Sequence, residues 1–109
     1  MLRCVRVEGS VVAKIVITGK NGEHTITLGK EPLTIGRSPA NTLQIIDPAS
    51  SRKHCMIKPS GGFMVIVDMG SSNGTRVNGE KITREEVLND GDIIQIGKTL
   101  LRYVDDSLS

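Results

Sequence analysis

The sequence predicts an all-β fold, an antiparallel β-sandwich built from about ten short strands, and three observations carry that expectation. Aromatic residues make up only 2% of the 109-residue chain against 38% hydrophobic, so the core must be assembled from Val, Ile, Leu and Met, a β-branched stock that favours strands. Apolar runs are short and closely punctuated by Gly, Asn, Asp, Ser and Pro, which leaves no room for a long helix. The length suits one domain, and a chain of this size buries about two-thirds of the surface it exposes when unfolded, enough for a real core.

In chain order, Val11 to Thr18 (VVAKIVIT) has strand composition, and Asn21-Gly22 then introduces His24 to Leu28, where apolar and polar residues alternate. Asn-Gly between two such runs signals a hairpin because both residues tolerate positive φ. Pro32 to Ile35 forms the next strand, ending at Gly36-Arg37, and Leu43 to Ile46 another beyond the loop Ser38 to Thr42. Lys53 to Lys58 and Phe63 to Val67 follow, joined by the turn residues Pro59 to Gly62. Gly70-Ser71-Ser72-Asn73-Gly74 is the densest turn region, succeeded by a small strand Thr75 to Val77 and a second Asn-Gly at Asn78-Gly79. Thr83 to Leu88 reads as one short helical turn stopped by Asn89-Asp90-Gly91, and Asp92 to Ile96 with Thr99 to Val104 closes the fold around Gly97-Lys98. Residues 1–10 read as an N-terminal extension or linker, 11–104 as the domain and 105–109 as a C-terminal tail.

Composition narrows the function classes. A formal net charge of +2 is too small for the broad basic footprint of a duplex binder, and the scarcity of aromatics removes the stacking platform that a single-strand reader needs. No run approaches the ~18 apolar residues that span a membrane, and the start of the chain lacks a signal-peptide pattern. Cys4 and Cys55 fit free thiols in a reducing compartment, with Cys55 a small buried hydrophobe. An intracellular, cytoplasmic, soluble domain is expected.

In a sandwich of short strands, function sits on loops held at one end of a rigid scaffold. Three loops carry more polarity than turning requires: Gly36 to Asn41, Ser50 to His54, and Gly70 to Thr75. Together they offer guanidinium groups at Arg37 and Arg52, hydroxyls at Ser51 and Ser72, a carboxamide at Asn73, and glycine-permitted backbone N–H groups. Such donors suit a phosphate monoester, which carries about −1.5 to −2 charge and three strong acceptor oxygens that arginine can engage bidentately. The sequence alone does not show that the loops converge.

The ordered set Gly36-Arg37, then Ser51-Arg52-Lys53-His54, then Asn73-Gly74 and Asn78-Gly79 resembles the signature of the forkhead-associated (FHA) domain family: Gly-Arg, Ser-x-x-His, Asn-Gly. The resemblance extends from about Val11 to Val104 and includes Asn41 ahead of Leu43 and Ile45, Asp47 before the serine-arginine loop, Asp68 before the glycine-serine turn, and Leu88 to Asp92 before the last strands. It implies an eleven-stranded sandwich with its recognition loops at one end, and a phosphothreonine-dependent protein-binding module rather than an enzyme. On that resemblance Arg37 holds the phosphate by charge, Ser51 donates its hydroxyl to a phosphate oxygen, and Arg52 adds contacts to phosphate or peptide. Ser72 gives a further phosphate contact, and Asn73 hydrogen-bonds the peptide backbone beside the phosphorylated residue. Gly36, His54, Gly74 and Asn78 support the site, His54 as a buried brace for the loop bearing Ser51. The implied partner is a phosphothreonine-containing protein, a Ser/Thr kinase or a kinase substrate among them, with no cofactor, metal, nucleic acid or membrane involved. Preference for phosphothreonine over phosphoserine would come from a pocket for the γ-methyl, worth about 0.8 kcal/mol or roughly fourfold.

Blander readings accompany each residue. Isolated arginines are usually solvated, Asn73 can simply form a type I′ turn with Gly74, and Ser72 can be a turn-former. Ser51 and His54, three apart with Asp47 or Asp68 nearby, could be imagined as nucleophile and base, but residues three apart along a strand point to opposite faces. A metal site from His54, Cys55, Cys4 and His24 lacks paired ligand spacing. The same fold could also serve as a phosphate-independent interaction or oligomerisation domain through a sheet face or edge. Two departures from the family pattern stand out: Ser50 replaces a common apolar residue, which is expected to loosen its loop, and Cys55 replaces a frequent Ala.

Overall fold

A computed structural model describes residues 13–19 and 22–105. Eleven strands form two sheets: β1 (Ala13–Gly19), β2 (Gly22–Leu28), β3 (Leu33–Gly36), β4 (Leu43–Gln44), β5 (Cys55–Ser60), β6 (Phe63–Asp68), β7 (Arg76–Val77), β8 (Glu80–Lys81), β9 (Glu86–Val87), β10 (Ile93–Ile96) and β11 (Thr99–Asp105). One sheet has the order β2-β1-β11-β10-β7-β8 and the other β4-β3-β5-β6-β9. The all-β fold read from the sequence is therefore observed, and the described residues contain no helix, so none is long and apolar enough to cross a membrane.

Period-2 alternation explains the layers. Ala13, Ile15 and Ile17 share one face of β1, where Ile15 lies opposite Tyr103 and Ile17 opposite Leu101. Ile94 on β10 lies beside Leu101, while on the facing sheet Leu33 and Ile66 both pair with Ile57 and Ile35 pairs with Cys55. Ile15, Ile35, Ile57, Ile66, Ile94, Ile96 and Leu101 are all sealed from solvent in one core cluster. The aliphatic core expected from composition is present, with Tyr103 as its single aromatic member, because Phe63 is exposed at the β5–β6 turn.

Several expectations need correction. Residues 83–88 form no helical turn: Glu86–Val87 is an edge strand paired to Val65 and Ile66, and the Leu88 N–H donates to the Met64 carbonyl at 2.8 Å. A one-turn helix pays the full nucleation cost for few hydrogen bonds, whereas adding an edge strand satisfies backbone groups already displayed by β6. The sandwich is not wholly antiparallel, since β3 and β4 pair in parallel through Ile35 with Leu43 and Gly36 with Gln44. β8 was not anticipated. It closes a hairpin with β7 over Asn78-Gly79, whose φ values of 53° and 88° suit the mirror-image turns that two-residue hairpins prefer. Of the first hairpin, β1 and β2 pair in register as far as Gly19 with Gly22, while Asn21 lies outside the described residues, as does Cys4.

Candidate functional site

Gly36 ends β3 where the chain turns into the first polar loop. Its backbone lies so close to the second loop that a Cβ built on it would stand 2.8 Å from the Arg52 carbonyl carbon and from Asn41 Nδ2, and closer still to the Arg52 carbonyl oxygen. That contact lets the loops share hydrogen bonds: Arg37 N–H donates to the Ser51 carbonyl (2.9 Å), Ser38 N–H to the Arg52 carbonyl (3.3 Å), and Asn41 Nδ2 to the Arg52 carbonyl (2.6 Å). The Arg37 side chain is tethered by Nε, which donates to the Ser50 carbonyl at 3.1 Å, so the tether leaves its two terminal nitrogens outside this bond.

The third loop is drawn in by Ser51 and His54. The Ser72 N–H donates to Ser51 Oγ at 3.0 Å, which occupies an acceptor position on the hydroxyl and leaves its proton for another oxygen. His54 is fully buried, with Nδ1 accepting from the Ser51 N–H (3.0 Å) and Nε2 facing the Gly74 carbonyl (2.8 Å). Since a carbonyl can only accept, the ring is the Nε2–H tautomer, and it bolts the second loop to the third. The expectation that Ser51 and His54 point apart does not hold. Residues 51–54 are a bend rather than a strand, so the ring folds back onto the Ser51 backbone. Both ring nitrogens are consequently spent, and neither faces the Ser51 hydroxyl as a base would need to.

Asn73 donates from Nδ2 to the Ala49 carbonyl at 2.8 Å, which orients the carboxamide and leaves Oδ1 for an N–H donor. Asn73 and Gly74 do not form a type I′ turn, which needs positive φ at both central residues, since Asn78 is the one non-glycine with positive φ among the described residues. Asn78 is occupied structurally, donating from Nδ2 to Asp92 (2.9 Å) and accepting from the Ile93 N–H (3.0 Å). Arg37, Ser51, Arg52, Ser72 and Asn73 thus stand on three loops that are hydrogen-bonded to one another at one end of the sandwich. The side chains of Arg52 and Ser72 are exposed and make no hydrogen bond among the described residues.

A sequence model of the FHA domain matches residues 33–97, more than half of the chain. The chain belongs to the FHA domain family. It is similar to FhaB of Mycolicibacterium smegmatis (35% identity over 92 residues, covering 84% of this chain and 59% of that protein). It is similar also to an oxoglutarate dehydrogenase inhibitor of Corynebacterium jeikeium (37% over 100 residues, 92% of this chain and 68% of that protein). Among solved structures it resembles EmbR of Mycobacterium tuberculosis in complex with a low affinity phosphopeptide (TM-score 0.75, 30% identity, 84% of this chain and 24% of that one). The chain spans less than two-thirds of FhaB and of a second relative from Corynebacterium diphtheriae.

Two carboxylates organise the loops of this FHA domain. Asp68 accepts from the Gly70 N–H (2.8 Å), the Ser71 N–H (2.9 Å), the Ser71 hydroxyl and the Thr75 hydroxyl (2.7 Å), and Ser71 Oγ accepts in turn from the Gly74 N–H (3.0 Å). Burial pushes the Asp68 carboxyl up, but these four donors outweigh it and hold the group below the ordinary carboxylate value. Asp47 is likewise held low, by the Ala49 and Lys98 N–H groups against a smaller desolvation effect, with the Thr99 hydroxyl and the Lys98 charge adding to them. Both acids are saturated internally, which leaves the loop face with exposed cations at Arg37, Arg52 and Lys53.

Sequence reasoning noticed Asp47 and Asp68 but missed Ser71, Thr75 and the Ala49 and Ser50 carbonyls that aim Asn73 and Arg37. Backbone carbonyls carry no sequence signal. Ser71 and Thr75 were legible as hydroxyls three and seven residues after an aspartate. Ser50 does not show the looseness expected of it: it is 2% exposed, its N–H donates to the Asp47 carbonyl (2.8 Å), and its hydroxyl donates to the Ser51 carbonyl (3.1 Å). His54 and Cys55 are buried, and no group of His, Cys, Asp and Glu among the described residues could hold a metal ion.

Proposed function

We propose that this FHA domain is a phosphothreonine-dependent protein-binding module. A phosphorylated segment of a partner docks across the loop end, with Arg37 and Ser51 holding the phosphate, Arg52 and Ser72 adding contacts, and Asn73 fixing the peptide backbone. The observation that carries the reading is the presentation of Arg37 and Ser51. One guanidinium nitrogen is tied to the Ser50 carbonyl so that the others form a preorganised fork, and the Ser51 oxygen is engaged as an acceptor by Ser72 so that its proton is the free end. Gly36, His54, Gly74 and Asn78 act by holding loop geometry. EmbR, seen with a phosphopeptide, lends the reading support.

The partner is a protein bearing phosphothreonine, a Ser/Thr kinase or kinase substrate, reached in the cytoplasm. The domain runs from about residue 11 through the end of β11 at Asp105 rather than stopping at 104, because Asp105 still pairs with Ala13. On this reading the domain binds rather than catalyses, and His54, with both nitrogens committed to backbone groups, is not placed as a base for the Ser51 hydroxyl.

Fluorescence anisotropy with matched degenerate peptides carrying phosphothreonine, phosphoserine or plain threonine tests this reading on the wild-type domain and on Arg37→Ala. Binding confined to phosphothreonine, and lost in Arg37→Ala, is the expected result. Equal binding to plain threonine, or no binding by a folded domain, would transfer the function to a phosphate-independent interaction.

A further inference from the structure

Beside the recognition loops lies a groove of about 600 Å³, where the chain following β4 faces the end of β1 and the start of β11. Ile46 and Leu100 line it, and they are 81% and 50% exposed. A single exposed aliphatic residue needs no explanation, but two flanking one concavity form a surface suited to contact. Its charge is one-sided. Among the described residues Lys98 and Arg102 line it and no Asp or Glu does, while Asp47, the carboxylate that Lys98 influences, is buried in its own loop with its oxygens hydrogen-bonded there. The Arg102 side chain makes no hydrogen bond or ion pair among the described residues.

The groove is also joined to the phosphate loops. Gln44, in its wall, donates from Nε2 to the Arg37 carbonyl at 3.0 Å. On the far side, the Lys98 N–H and the Thr99 hydroxyl donate to Asp47 at 2.9 and 3.1 Å, and Asp47 in turn receives the Ala49 N–H at 2.9 Å. Groove and loop end are therefore one hydrogen-bonded unit.

We propose that this groove is a second docking site for the phosphorylated partner itself, taking an apolar side chain flanked by acidic residues from the segment that adjoins the phosphothreonine. The inference rests on the phosphothreonine reading above. Apolar walls select the buried side chain, and the Lys98 and Arg102 rim selects the acids beside it, so residues distant from the phosphate set which phosphorylated protein is retained.

The test uses a short fluorescent phosphothreonine library and the same library extended, before or after the phosphothreonine, by an arm of alternating Leu and Glu. Wild type, Leu100→Ser and Arg102→Glu are compared. An arm on one side should tighten binding to wild type about tenfold, the order expected when one leucine-sized side chain leaves water. Both variants should lose that gain while binding the short library as wild type does, which also reports that they are folded. Equal affinity of short and extended libraries for wild type would overturn the inference and leave the phosphothreonine reading standing. A self-association of the domain that Leu100→Ser abolishes would give the groove to a second copy and overturn it too. Failure of the short library to bind wild type would remove the reading beneath the inference, and the inference with it.

Discussion

Substituting Gly36 by Ala isolates the close approach on which the loop end depends. Gly36 has no positive φ, so alanine meets no backbone penalty there, and the whole effect must come from the added methyl. That Cβ would stand 2.8 Å from the Arg52 carbonyl carbon, whereas carbon atoms rest at about 3.5–4.0 Å, so β3 and the Arg52 peptide must separate by roughly an ångström. The obstacle is backbone and cannot rotate aside. Its displacement stretches the bonds that Ser38 and Asn41 make to the Arg52 carbonyl and the bond from Arg37 to the Ser51 carbonyl. Overpacking of this kind costs about 1–3 kcal/mol of stability. Misplacing Ser51 relative to Arg37 sacrifices one charge-assisted hydrogen bond to the phosphate, about 1.5–3 kcal/mol or ten- to a hundredfold in affinity. Urea unfolding and phosphopeptide anisotropy on Gly36→Ala would read both quantities. A variant with wild-type midpoint and wild-type affinity would refute the reasoning, because it would mean the two loops are not in contact at this point.

Other consequences are measurable. Ser51→Ala removes the acceptor of the Ser72 N–H together with the proposed phosphate donor, and should weaken phosphothreonine binding by about 1.5–3 kcal/mol with little change in binding to unphosphorylated peptide. Asp68, whose folded-state value is depressed, contributes stability that is fully present above the unfolded value of about 3.9 and is lost as pH falls through the lower folded value. Urea midpoints should accordingly hold steady down to that region and then decline, and Asp68→Asn should start lower at neutral pH and decline less. Burial pushes the Cys55 thiol up to about 12, so in a Cys4→Ser background iodoacetamide at mildly alkaline pH should alkylate Cys55 only after denaturation.

Much of the fold and of the candidate site is legible in the sequence alone. Strands of four or more residues show in the sequence because alternation needs that length to become a pattern, as in β1 and β11. Of the two-residue strands, β4 and β7 are marked in the sequence by the loops and turns that bound them, whereas Glu80–Lys81 (β8) and Glu86–Val87 (β9) are strands only because β7 and β6 offer them partners. The parallel pairing of β3 with β4 escaped for the same reason, being a relation between segments rather than a property of either.

Composition and turn chemistry by themselves determined that this chain forms short strands around an aliphatic core, and the order of Gly-Arg, Ser-x-x-His and Asn-Gly determined its family. Tertiary structure alone decided what those residues face. The strand rule sent Ser51 and His54 to opposite faces, yet a bend between them brings the buried ring back onto the Ser51 N–H and across to Gly74. How the Arg37 guanidinium is held depends on a carbonyl thirteen residues away, and how the Asn73 carboxamide is oriented depends on the Ala49 carbonyl. Side-chain type and local spacing are written along the chain. Which backbone carbonyl meets a side chain is set by how two sheets and three loops pack, because every residue carries the same carbonyl and only position distinguishes them.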